Sequence, residues 1–91
     1  MLDEDTGVFY AHDKRILLTP RETLLLSALI KGKGSYVKNE KIIEEVFKDE
    51  PAKEPINALR IALLRLKKKV KGVMKIKAMT NYGYKIIYLG D

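Results

Sequence analysis

The chain has 91 residues with 18 Lys and Arg against 12 Asp and Glu, a net charge of +6, and no cysteine. That length suits one domain with a single modest core, and the missing thiols exclude disulfides and thiolate metal sites. No apolar run approaches the roughly 20 residues of a membrane-spanning helix, and the acidic start MLDED is unlike a secretory leader, so we expect a cytoplasmic protein without membrane contact. The charge is unevenly placed. Residues 1–50 hold eight basic and ten acidic side chains, whereas residues 51–91 hold ten and two. A field so one-sided implies a polyanionic partner, whether nucleic acid, acidic membrane or acidic protein.

Residues 1–6 carry no pattern and are expected to be flexible. The segments GVFYA and RILL, either side of His12–Asp13, read as two short strands and a tight turn. In LTPRETLLLSALIKGKG the helix signals are strong. Thr19 suits the N-cap, Pro20 the first helical position, and Glu22 completes a Thr-x-x-Glu capping box. Leu25, Leu26, Leu29 and Ile30 then share one face, and Gly32 and Gly34 can end the helix. A second helix fits NEKIIEEVFK, with Asn39 as cap and Ile42, Ile43, Val46 and Phe47 inward. Two prolines in DEPAKEP make a loop.

From Ile56 onward, Leu59, Leu63, Leu66 and Val70 recur at alternating steps of three and four, which predicts a third helix over about 55–71 with one narrow apolar stripe. Opposite the stripe lie Ala58, Ile61, Arg65 and Lys68, flanked by Asn57 and Leu64. A solvated face would be polar throughout. This mixture of small, apolar and basic groups suits the major groove, where a guanidinium reaches guanine and a methyl meets thymine. A membrane-surface helix would need bulky aromatics, and none occurs between residues 50 and 80. After Gly72, two β-prone runs flank Thr80–Asn81–Tyr82–Gly83, which predicts a hairpin over about 74–88 with Asn81 and Gly83 as turn residues. Lys75 and Lys77, two apart, share one face of it.

Strands, three helices with the last one basic, then a hairpin: this α+β order is that of a winged helix-turn-helix. The chain also resembles the C-terminal effector domain of OmpR/PhoB-type response regulators over residues 8–88. The resemblance rests on LTPRE at Leu18–Glu22, VKNEKIIEEVF at Val37–Phe47, RLKKKV at Arg65–Val70 and NYGYKI at Asn81–Ile86, in the family's order and spacing. It implies two-component signalling. A phosphorylated receiver domain earlier in a longer chain would govern dimerisation, and this domain would bind promoter DNA. The third helix would enter the major groove, the hairpin wing would lie on the flanking backbone or minor groove, and the loop between helices two and three would touch RNA polymerase.

Position by position, the resemblance implies DNA contacts at Ala58, Arg60, Ile61, Ala62, Leu64, Arg65, Lys68 and Lys69, and on the wing at Lys77, Thr80, Asn81 and Tyr82. Asp49, Glu50, Lys53 and Glu54 match the polymerase loop. The sequence also departs from the pattern. Ala78 and Thr80 stand where relatives have Thr and Arg, Asn81 replaces a turn glycine, and Asn57 replaces a basic residue. Arg60 stands where an acid is usual, Thr23 where a core aromatic is frequent, and fewer N-terminal strands fit than the family carries.

The remaining polar residues suggest no chemistry. His12 reads as a surface turn residue, and the pairs Glu44–Glu45 and Asp49–Glu50 lack a nucleophile or metal-ligand spacing beside them. An enzyme, a cofactor and a metal are not expected. The competing reading is a winged helix that has lost DNA binding and docks protein through Ile61 and Leu64. DNA binding would weaken steeply with salt, and an apolar interface would not.

Overall fold

The computed structural model describes residues 1–11 and 13–89, so the expectation for His12 lies outside the described residues. In chain order the elements are β1 (Leu2–Asp3), β2 (Val8–Ala11), β3 (Lys14–Leu17), α1 (Pro20–Ile30), β4 (Val37–Lys38), α2 (Asn39–Val46), α3 (Pro55–Lys69), β5 (Met74–Met79) and β6 (Gly83–Tyr88). Strands β1-β2-β3 make one antiparallel sheet, and β4-β6-β5 make another.

Residues 1–6, expected to be flexible, carry the short strand β1 and a local turn. Asp3 accepts backbone N–H bonds from Asp5 at 3.1 Å and Thr6 at 3.3 Å through its carboxylate, forming a local turn. Gly7, at φ +72, then donates its N–H to the Asp3 carbonyl. The turn brings Leu2 opposite Phe9, and Phe9 is buried in the core.

The first helix begins as its sequence dictates. The Thr19 hydroxyl accepts the Glu22 N–H at 3.2 Å, and the Glu22 carboxylate accepts the Thr19 N–H at 2.9 Å, so both arms of the capping box are made. Thr23, in the place of a core aromatic, is buried and donates its hydroxyl to the Thr19 carbonyl. Leu25, Leu26 and Leu29 meet Ile42 and Val46 of α2, Leu59, Leu63 and Leu66 of α3, and Ile76 and Ile86 of the hairpin in one core.

Three local expectations are corrected. Asn39 is the first residue of α2, not its cap; Lys38 holds that position, and among the described residues the buried Asn39 Oδ1 has no hydrogen-bond partner. Ile56, at the head of the α3 stripe, is 46% exposed, because the first turn of α3 extends beyond the core while Leu59, Leu63, Leu66 and Val70 are buried. Gly83 does not have a positive φ; only Asn81 does within this turn, at φ 60. Gly83 is needed for a different reason. It pairs with Lys38 of β4, and a Cβ there would lie 1.8 Å from the Val37 carbonyl oxygen.

Candidate nucleic-acid interface

Helix α3 divides cleanly into two faces. Leu59, Leu63 and Leu66 hold it to the core, which leaves Asn57, Ile61, Leu64, Arg65 and Lys68 exposed on the other side. Arg60 is exposed at the flank, and Ala58 is half-buried against the core. Ala62, expected to face the groove, is a correction: it is only 6% exposed and belongs to the core. It sits one turn from Leu59 and Leu66, on the margin of a stripe wide enough to cover a methyl.

Lys69 is also placed differently from the sequence reading. Its ammonium donates to Glu22 Oε1 at 2.6 Å and to the Leu17 carbonyl at 3.1 Å. It thus ties the end of α3 to the start of α1 and the end of β3, and does not reach outward with Lys68. Burial pushes the Glu22 carboxyl up, but Lys69 and Thr19 outweigh it, and its pKa lies below the ordinary glutamate value. A carboxyl with a depressed folded pKa stabilises fully above its unfolded value near ~4.3 and ceases to do so as pH falls through the folded value. Glu22→Gln is therefore expected to cost about 1 kcal/mol at pH 7, a figure kept small because the Lys69 end is partly solvated. The gap from the parent should close as the solution is acidified. Urea unfolding of both proteins across that range checks this, and a gap independent of pH would show that the charge is not what matters.

The wing presents its cations as the spacing predicts. Lys75 and Lys77 are exposed on one face of β5, and Lys77 pairs across the strand with Lys85. Lys85 was not anticipated. Its ammonium lies 4.7 Å from the centre of the Tyr36 ring, and Tyr36 meets Tyr82 edge-on at 6.4 Å. The Asn39 N–H donates to the Tyr82 carbonyl at 2.8 Å, so the tip of the wing is tied to the first turn of α2. Thr80, Asn81 and Tyr82 are exposed at that tip. Lys67 near the end of α3 and Lys71 just beyond it line a groove with Lys75 and Lys77.

The arrangement thus offers a helix face with one guanidinium and two bulky apolar groups, beside a cationic hairpin whose tip is bonded to α2. Asp49, Glu50, Lys53 and Glu54 are exposed on the loop between α2 and α3, away from the core. Among the described residues no cluster of three or more His, Asp or Glu could hold a metal, and no helix is long and apolar enough to cross a membrane.

Comparison with known proteins agrees with this geometry. Residues 13–86 match the family described as transcriptional regulatory protein, C terminal. The chain is 28% identical over 90 residues to the regulatory protein VanR of Enterococcus faecium, covering 94% of this chain and 39% of that protein. It is 31% identical over 94 positions to the transcriptional regulatory protein TctD of Salmonella typhimurium, covering all of this chain and 40% of that one. The chain therefore spans about two fifths of the length of these relatives. Among solved structures it resembles the C-terminal domain of the nisin resistance regulator NsrR, a lantibiotic response regulator. The TM-score is 0.79 at 26% identity, over 94% of this chain and 88% of that one. With its three helices, its hairpin wing and this match over residues 13–86, the chain belongs to the transcriptional regulatory protein C-terminal family, the winged helix-turn-helix DNA-binding output domains of response regulators.

Proposed function

We propose that the domain binds promoter DNA sequence-specifically, with α3 in the major groove and the wing on the flanking backbone. The observation that carries this reading is the exposed face of α3, where Arg65 and Lys68 stand beside Ile61 and Leu64, continuous with the cationic wing. Arg65 is the base-reading group, because a guanidinium can bond two acceptors of guanine at once. Arg60, Lys68, Lys77 and Lys85 supply attraction to phosphate. Thr80, Asn81 and Tyr82 approach the sugar–phosphate chain without a long cation to probe the minor groove. In a longer chain, a receiver domain would control pairing of two such domains on DNA in the cytoplasm. The exposed Asp49, Glu50, Lys53 and Glu54 form the surface offered to RNA polymerase.

Arg65→Ala is expected to cost about 1–3 kcal/mol on a selected site and to relax preference at one or two base pairs. Lys77→Ala should weaken selected and random DNA by a similar factor and lower the salt slope by about one. Titrations of both variants and the parent against the two duplexes, at several salt concentrations, test the reading. Salt-independent binding, or selectivity unchanged in Arg65→Ala, would overturn it. The exposure of Ile61 and Leu64 also fits a protein-docking role, and flat salt dependence would favour that role.

A further inference from the structure

Two bulky aliphatic side chains stand in solvent at the middle of α3: Ile61 is 47% exposed and Leu64 is 58% exposed. They are three residues apart and lie on one side of the helix. Their exposed neighbours on this helix, Asn57, Arg60, Arg65, Lys67 and Lys68, are one amide and four cations, with no acid among them. An apolar pair ringed by cations is unsuited to bare water. The pair could enter an apolar protein groove only at the cost of desolvating the surrounding charges. It is suited to a partner that is anionic at its edges and apolar at isolated points.

The major groove is such a surface. Its rims are phosphates, and the only apolar group that a base edge presents there is the 5-methyl of thymine, or of methylated cytosine. We infer that Ile61 and Leu64 read the 5-methyl groups of two pyrimidines in the bound site, an inference that rests on the DNA-binding reading above. Spacing sets how far apart those pyrimidines lie. Residues three apart rise about 4.5 Å along a helix, and successive bases on one strand are about 3.4 Å apart. The two methyl groups therefore sit one or two base steps from each other. Arg65, adjacent to Leu64, reads a guanine beside them. The signature is a guanine next to a closely spaced pair of thymines.

The test uses the site selected by this domain from random DNA and replaces each thymine in turn with deoxyuridine, which keeps the pairing and removes only the methyl. Binding should fall about two- to fourfold at two positions one or two steps apart, with no change elsewhere. In Ile61→Ala one of these sensitivities should vanish, and in Leu64→Ala the other. Both variants change exposed side chains and should melt with the parent, which keeps folding out of the comparison. If uracil at every position left affinity unchanged while binding stayed selective and salt-dependent, this inference would fall and the DNA-binding reading would stand. If the variants kept both uracil sensitivities, the methyl groups would meet other residues and the assignment to Ile61 and Leu64 would fall. Loss of salt-dependent duplex binding altogether would overturn the underlying reading as well.

Discussion

Replacing Gly83 with alanine is expected to destabilise the domain by about 3 kcal/mol or more, and to loosen the wing before the helices. The added Cβ would lie 1.8 Å from the Val37 oxygen, 2.7 Å from the Val37 carbonyl carbon and 3.0 Å from the Lys38 Cα. These are backbone atoms, so no side chain can rotate away. Relief requires β4 to leave β6, which breaks the pairing of Val37 with Tyr84 and of Lys38 with Gly83. It also strains the bond from the Asn39 N–H to the Tyr82 carbonyl, and each such bond contributes about 1 kcal/mol. For a domain of this size the loss corresponds to a fall in melting temperature of roughly 12–24 °C. Thermal denaturation measures it, and a melt within a few degrees of the parent would show that β4 is not seated against the wing.

Leu63→Ala should cost about 2–5 kcal/mol. Leu63 is 3% exposed, one turn from Leu59 and Leu66, in the cluster that joins α3 to the rest of the core. Alanine is the best helix former, so the loss would come from the cavity and not from helix propensity. The neighbouring Leu64 is 58% exposed and provides an internal comparison. Leu64→Ala should shift stability by less than about 0.5 kcal/mol. Chemical unfolding of the two variants side by side tests the division of α3 into a core face and a free face. Equal losses would mean the helix is rotated from the orientation described.

Local signals were legible where the physics is local. The capping box of Thr19 and Glu22 is visible in four residues, and both of its hydrogen bonds form. The stripe through Leu59, Leu63, Leu66 and Val70 is a one-dimensional record of burial, and all four are buried. Its ends and margins were less legible. Whether Ile56 is covered depends on where α1 and α2 stop, and whether Ala62 is covered depends on how closely they pack. Strands β1 and β4 are two residues each, too short for alternation to register, and they exist because a partner strand passes nearby. Gly83 looked like a turn residue, yet its role is set by Val37, 46 positions earlier in the sequence. Lys69 looked like one more member of a basic run. Its partners, Glu22 and Leu17, lie 47 and 52 positions away, and no local pattern could tell it from Lys68.

The bond between the tip of the wing and the first turn of α2 has a mechanical consequence. A hairpin joined to its domain only at its base can flap, and can adjust its reach to whatever groove it meets. This hairpin is fastened at both ends: at its base by the turn from α3, and at its tip by Asn39, with β4 clamped along β6 between them. On the proposed reading, α3 and the wing would therefore meet the double helix as one template whose span is held by these bonds. Any mismatch between that span and the spacing of the grooves must be taken up by bending or untwisting the nucleic acid, whose resistance varies with its base steps. Pliant steps lying between the regions under α3 and under the wing would then be favoured without being touched, and the choice among sites would fall partly to the elasticity of the DNA.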